Sequence, residues 1–239
     1  MPFSKKISQM LLNTGAVSLS PSFPFRYASG LFSPIYIDCR LLNSYPDKRE
    51  IMIDSIVTCI LEKTKKENID IIAGAGSSGI SFATYISSKL KIPMIYIREC
   101  AKGHGRKNQI EGTLNENKKV LLVSDIIGTE DSIPSAVDAL KEKNSKIIGC
   151  FSVFDMGLDA SDFLKKENID MHSLTNFDSL LKIALDMKKI TIHEYNIVEE
   201  WRKNPKEWNE KKDIFTEKLF SKNKKDIAEI LLNIKAVLL

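Results

Sequence analysis

With 239 residues, 43% of them hydrophobic and 28% charged, the chain has the composition of a soluble globular protein, long enough to bury a core without disulfide or metal staples. A formal charge of +4, from 35 basic and 31 acidic residues, is too mild and too scattered to mark a nucleic-acid surface, and lysine runs such as EKTKKE and FSKNKKD read as solvated helix faces. Cys39, Cys59, Cys100 and Cys150 form no CxxC pair, no apolar stretch approaches the roughly 20 residues that span a bilayer, and the N-terminus lacks a secretory apolar core; the expectation is a cytoplasmic protein with reduced thiols and neither membrane nor nucleic acid as a partner.

Ile7, Met10, Leu11 and Leu12 recur at helical spacing and predict an amphipathic helix ending near Gly15. SPIYIDCRLL alternates and predicts a strand. Pro46 and Asp47 then open a long helix in PDKREIMIDSIVTCILEKTKKE. Four short β-rich runs follow, IDIIAG, IPMIYI, KKVLLVSD and KIIGCFSVF, with GISFATYISSKL and DSIPSAVDALKEK as helices between the first and the last pair. Nearly continuous apolar strands alternating with helices predict an α/β fold whose parallel sheet is covered on both faces. Beyond residue 188 the sequence is helical and charged, with Trp201 and Trp208 as packing anchors. The expected layout is an α/β domain over 1–188, divided into an N-terminal segment 1–45 and a core 46–188, followed by a C-terminal helical appendage over 189–239.

Ligands of such sheets collect at the carboxyl ends of the strands, which directs attention to three loops. Gly74, Gly76 and Gly79 in AGAGSSGISFA let backbone amides approach an anion at the start of a helix. The stretch is not read as a dinucleotide fingerprint, it lacks the P-loop lysine, and a purely structural turn is an equal reading. In RECAKGHGRKNQIEG, Arg98, Lys102, His104, Arg106 and Lys107 crowd around Gly103 and Gly105, a cationic loop suited to closing over a polyphosphate. VLLVSDIIGTEDS places Asp125 at a strand end, where a carboxylate accepts hydrogen bonds from sugar hydroxyls, ligates Mg²⁺ through water or stabilises developing positive charge. Thr129 and Ser132, with the amides of the turn, are candidates to hold a phosphate.

The sequence from about residue 20 to 155 resembles the type I phosphoribosyltransferases and, within them, the orotate phosphoribosyltransferase family. FRYASGLFSPIYIDCR, GAGSSGISFA, RECAKGHGRKNQIEG and VLLVSDIIGTEDS carry the likeness. EEWRKNPKEW is also similar to the ending of some members. The resemblance implies the type I phosphoribosyltransferase fold, with residues 1–45 covering the base. It implies transfer of phosphoribosyl from phosphoribosyl pyrophosphate (PRPP) to orotate, giving orotidine 5′-monophosphate and pyrophosphate in pyrimidine synthesis. Mg²⁺ is then a cofactor carried by PRPP, with no direct protein ligand.

Roles follow from the same resemblance. Arg98, Lys102 and His104 fall on the pyrophosphate-binding cations, and Asp125 on the carboxylate that contacts the ribose hydroxyls; Asp125, Lys102 and His104 are the expected catalytic residues. Gly74, Gly76 and Gly79 match the pyrophosphate loop, and Ser124, Ile127, Gly128, Thr129, Glu130, Asp131 and Ser132 the remainder of the donor motif. Ser29, Gly30 and Tyr36 match the segment over the orotate ring, with Tyr36 stacked on the base and Arg26 answering the orotate carboxylate. A homodimer is implied, the 99–112 loop reaching the neighbouring subunit's site.

The chain also departs from the family. Ser124 stands where a second acid usually precedes Asp125, Glu130 and Asp131 stand in the phosphate turn, Glu99 and Ala28 replace common lysines, and VFDMGLD lacks a base-contacting arginine. Two carboxylates within about 6 Å of a phosphate dianion would each cost on the order of 1 to 3 kcal/mol at an effective dielectric near 20, unless they point to solvent and favour the helix terminus. A phosphoribosyltransferase for another base, and a ligand sensor or scaffold on the same fold, are therefore kept as alternatives.

Overall fold

The computed structural model describes residues 3–26, 32–99, 109–128 and 132–210, and the chain forms two units: Met1–Ser18 with Ile37–Lys189, and Leu19–Tyr36 with the segment from Ile190 onward. The first helix, α1 (Ser4–Thr14), buries Ile7, Met10, Leu11 and Leu12 and ends at Gly15. Gly15 has φ +75°, a left-handed conformation that glycine adopts without a Cβ clash. Ser4 and Ser8 of α1 share hydrogen bonds with Thr175 at 2.8 and 2.7 Å.

Four short strands come next: β1 (Val17–Leu19), β2 (Phe25–Arg26), β3 (Phe32–Ser33) and β4 (Ile35–Ile37), with β1 paired to β4 and β2 to β3. The alternating run SPIYIDCRLL is thus a strand only over β4. Asp38 accepts a hydrogen bond from the Arg40 amide at 3.0 Å and turns the chain into a 3₁₀ helix over Cys39–Ser44, which buries Cys39 and Leu42. A carboxylate bonded to a nearby amide competes with strand pairing, and here it prevails. Helix α2 (Pro46–Lys63) begins as expected at Pro46 and buries Met52, Ile53, Ile56 and Ile60.

The larger unit continues through β5 (Ile71–Ala75), α3 (Gly76–Leu90), β6 (Met94–Ile97), β7 (Ile110–Glu111), β8 (Lys119–Val123) and β9 (Ile126–Ile127). It then adds α4 (Ser132–Glu142), β10 (Lys146–Asp155), α5 (Asp159–Lys166), β11 (Met171–Asn176) and α6 (Phe177–Asp186). The four apolar runs are β5, β6, β8 and β10. Strand β11 was not expected, because MHSLTN has no apolar run; its buried hydroxyls are satisfied in pairs, as where Ser173 and Ser152 meet at 2.6 Å.

The main sheet has the order β11-β10-β8-β5-β6-β7, with β9 beside the end of β10. All of its pairings are parallel except that of β6 with β7. Ile71, Ala73 and Ala75 of β5 join Val120 and Leu122 of β8 and Ile133, Ala136, Val137 and Leu140 of α4 in one core. Ile72, Leu121 and Val123, of opposite parity, are buried as well, and α3 and α2 pack on the sheet and on each other. Burial of both parities explains why these strands read as continuous apolar runs.

Strand order decides where a ligand belongs. From β5 the chain crosses through α3 to β6 on one side, whereas β8, β10 and β11 lie in succession on the other. The reversal falls between β5 and β8, whose ends run side by side with Gly74 opposite Val123. Such a switch point opens a crevice beyond the carboxyl ends of the two strands.

In the smaller unit β2 and β3 pair antiparallel, Phe25 opposite Ser33 and Arg26 opposite Phe32. Helix α7 (Ile192–Lys203) starts with a capping box. Thr191 Oγ1 accepts from the Glu194 amide at 3.2 Å, and the Glu194 carboxylate accepts from the Thr191 amide at 2.9 Å. Asn204 precedes Pro205, and residues 205–210 are again helical, with Trp201, Trp208 and Asn209 buried. Proline disfavours helical backbone in the residue before it but fits a first helical turn, which accounts for the break.

Candidate active site

The crevice is built from the ends of β5 and β8. Gly76 opens α3 at φ +61°, and the first turn of that helix itself contains no acidic residue and no side-chain cap. Its leading amides and dipole are therefore available to an anion. Gly74, Gly76 and Gly79 do have the GxGxxG spacing, and the structure divides their duties. Gly74 lies within β5 rather than in the turn. A Cβ on Gly74 would stand 2.9 Å from the Gly79 carbonyl oxygen, and one on Gly79 only 2.6 Å from that of Val123. These two glycines let α3 lie close against the sheet, as the last glycine of that spacing commonly does, and Gly76 alone shapes the turn.

Across the crevice, Asp125 follows β8 and is 6% exposed. Its Oδ1 accepts from the Ile126 amide at 2.9 Å, and the Ser78 hydroxyl, in the first turn of α3, also bonds its carboxylate. Burial pushes the Asp125 carboxyl above the ordinary range, opposed by the Ser78 and Ile126 hydrogen bonds and by the charge of Arg40. The backbone around it is firmly held. Its carbonyl accepts from the amides of Val153 and Phe154, each at 3.1 Å, and Ser124 Oγ donates to the Ile126 carbonyl at 3.0 Å. The side chains of Ser124 and Ile127, on either side of Asp125, are buried. Gly128 is half-buried beside Met156, and its carbonyl accepts from the Ala160 amide at 3.0 Å.

Two more chain segments reach the same place. The Glu99 carboxylate would lie 3.3 Å from a Cβ on Gly76, and Ser132 Cβ, at the start of α4, 3.5 Å from it. The carboxylate of Glu99 therefore sits beside the turn that opens α3. Arg98 closes β6: its amide donates to the Gln109 carbonyl at 2.9 Å, Gln109 Nε2 donates to the Arg98 carbonyl at 3.0 Å and to Ser135 Oγ at 2.6 Å, and Arg98 Nη1 lies 4.0 Å from Glu111 Oε1. The β6–β7 hairpin thus clamps both roots of the cationic loop. Lys102 and His104, like Thr129, Glu130 and Asp131, lie outside the described residues, as do Ser29 and Gly30.

In the smaller unit, the Arg26 guanidinium lies over the Phe32 ring, 5.9 Å from its centroid, and the Phe25 and Tyr36 rings meet at 5.7 Å. Tyr36 is exposed. The larger unit thus brings together Gly76, Ser132 and Asp125, all expected from sequence, with Glu99, noted there only as a departure. Ser78 escaped notice; its position one turn into a glycine-led helix, facing a strand-end acid, was the available signal. Among the described residues no three His, Cys, Asp or Glu side chains gather as metal ligands, and no helix is long and apolar enough to cross a membrane.

A helix amino end and a buried acid facing each other at the switch point of a parallel sheet suit a sugar bearing phosphates. Residues 44–177 match the family model of the phosphoribosyl transferase domain. The chain belongs to the phosphoribosyltransferase family. It is 38% identical over 209 residues to the orotate phosphoribosyltransferase of Listeria innocua, covering 87% of this chain and 99% of that one. Among solved structures, orotate phosphoribosyltransferase from Aeropyrum pernix superposes with a TM-score of 0.65 at 23% identity, over 77% of this chain and 99% of that one. Leishmania donovani UMP synthase gives 0.69 at 24% identity, over 83% of this chain and 42% of that one.

Proposed function

We propose that the chain catalyses transfer of the phosphoribosyl group from PRPP to orotate, yielding orotidine 5′-monophosphate and pyrophosphate. In the reaction the bond from the anomeric carbon to the pyrophosphate oxygen breaks while a bond to a ring nitrogen of orotate forms. The carbon passes through a state with oxocarbenium character, so the protein's task is to place both partners, stabilise charge and exclude water. The observation that carries the proposal is Asp125: a buried carboxylate held by Ser78 and the Ile126 amide opposite the open amino end of α3, in a chain 38% identical to an orotate phosphoribosyltransferase.

Each group then has a role. Asp125 accepts hydrogen bonds from the ribose hydroxyls and lies near the carbon that becomes positive. The α3 amides and Arg98 receive the departing pyrophosphate, and Ser132 with the backbone amides of residues 128–132 receives the 5′-phosphate by resemblance to the family. Lys102 and His104 complete the pyrophosphate cover by resemblance, and Arg26 and Tyr36 are assigned to the orotate carboxylate and ring on the same ground. Mg²⁺ favours substrate phosphates, water and one or two carboxylates over an all-protein cage, and one buried acid at an anion-binding turn fits an ion that arrives on the donor. When bound, Mg²⁺ supplies neutralising charge to the diphosphate. A homodimer, with the 99–112 loop reaching the neighbouring site, and a cytoplasmic location complete the proposal.

Loss of orotate absorbance on adding PRPP, dependent on Mg²⁺, is the direct test; no turnover at millimolar PRPP by folded protein would reject the activity, and turnover only with another nucleobase would reassign it. Glu99 offers a second check. A carboxylate beside the α3 turn repels the donor's diphosphate, so Glu99→Gln is expected to lower the KM for PRPP by about three- to tenfold at low salt, with a smaller effect as ionic strength rises. Steady-state kinetics across a salt series measures it, and an unchanged or higher KM would show that the Glu99 carboxylate turns away when the donor binds.

A further inference from the structure

We propose that Asn209 is a positioning residue for Arg26, acting through the backbone and ring of Phe32; this rests on the assignment of Arg26 to the orotate carboxylate made above. Asn209 is only 4% exposed. Its Oδ1 accepts from the Phe32 amide, and its Nδ2 donates to the Phe32 carbonyl at 2.9 Å and to the Pro205 carbonyl at 2.8 Å. A primary amide that engages both backbone groups of one residue reproduces what a neighbouring strand would offer. The bond to Pro205, one turn back in the helix, fixes the side chain's own direction.

What Asn209 holds is the platform of Arg26. Phe32 stands opposite Arg26 in the β2–β3 pair, and its ring lies under the guanidinium at 5.9 Å, within the range of a cation–π contact. Each of these strands has two residues. A ladder so short is not stable by itself, and Asn209 supplies the hydrogen-bonding partner that its outer edge requires. An arginine already oriented over a fixed ring loses less freedom on meeting a carboxylate than one on a loose hairpin. Asn209, 177 residues further along the chain, thereby bears on affinity for the base without touching it.

The test is a kinetic split with a double-mutant cycle on the full chain. Asn209→Ala removes three hydrogen bonds and is expected to raise the KM for orotate about tenfold, equivalent to about 1.4 kcal/mol, with kcat and the KM for PRPP nearly unchanged. Arg26→Ala should raise the same KM, and the double variant should be little worse than Arg26→Ala alone, as expected of residues acting through one contact. Phe32→Leu keeps the backbone bonds to Asn209 and removes only the ring; a rise in orotate KM is expected there too, which covers the case in which Asn209→Ala folds poorly. Additive effects of Asn209 and Arg26, or an orotate KM unchanged in both Asn209→Ala and Phe32→Leu, would overturn the positioning role while leaving the activity intact. Absence of orotate turnover in the unaltered protein would instead remove the assignment on which the role rests.

Discussion

Replacing Asp125 with asparagine is expected to cut kcat/KM by about 10³-fold while leaving the protein at least as stable as before. The two halves of that outcome have one cause. Asp125 is almost fully buried, and burial holds its carboxyl above the ordinary range, so the ionised form is maintained at a cost in stability. A carboxylate whose folded-state pKa is raised contributes a penalty that is present at neutral pH and is relieved as pH falls through that pKa toward the unfolded value. Asparagine keeps an acceptor for the Ile126 amide and carries no charge to desolvate. On the role proposed for Asp125 it also removes the anion beside a carbon that becomes positive, where loss of one oriented electrostatic group commonly costs about 10²- to 10³-fold or more. The same shift predicts that the acid limb of kcat/KM for the unaltered enzyme lies above the usual carboxylate pKa of about 4, with no such limb in the residual activity of the variant. Thermal melts and a pH–rate profile check both halves; an Asp125→Asn enzyme retaining most of its activity would remove Asp125 from the chemistry.

Gly79→Ala is expected to damage the fold and the site together. The added methyl would stand 2.6 Å from the Val123 carbonyl oxygen, a backbone atom in the middle of the sheet that cannot swing aside. Helix α3 must retreat, at about 1 to 3 kcal/mol for overpacking, which for a chain of this size lowers Tm by about 2 to 4 °C per kcal/mol. Ser78 rides on the same turn and Asp125 lies two residues beyond Val123, so the KM for PRPP should rise as well. Gly76→Ala is the informative partner. Its strain comes from φ +61° rather than from contact with the sheet, and donor affinity should suffer more than stability. Equal melting temperatures for Gly79→Ala and the unaltered protein would show that α3 has slack at this point.

The parallel core was legible because β5, β6, β8 and β10 are buried on both faces and so appear as apolar runs separated by helical periods. Two helix ends were legible by their own chemistry, Gly15 and Pro46, each where the backbone requires it, whereas the capping box of Thr191 and Glu194 emerged only from the structure. Strand β11 escaped because its interior contacts are hydroxyl pairs, Ser152 with Ser173 and Ser4 and Ser8 with Thr175, which no hydrophobic period announces. Asp125 and Gly76 were legible as a strand-end acid and a helix-opening glycine. The clasp of Asn209 on Phe32 was not, since a single asparagine so far from its partner has no local signature. The run SPIYIDCRLL misled for the opposite reason: its alternation is real, but the short-range bond from the Asp38 carboxylate to the Arg40 amide outweighs it.

The grouping of Leu19–Tyr36 with residues from Ile190 onward bears on how the protein is made. A chain leaving the ribosome folds from its amino end as segments become available, and every strand of the main sheet precedes Ile190. The unit that holds the main sheet can therefore mature while translation is still under way, whereas the β2–β3 pair bearing Arg26 must wait for Asn209 to emerge. A nascent chain that has emerged only as far as residue 189 would hold every strand of the main sheet and an unclasped β2–β3 pair, so, on the role proposed for Arg26, the helices that follow Ile190 set the moment at which the base can be received.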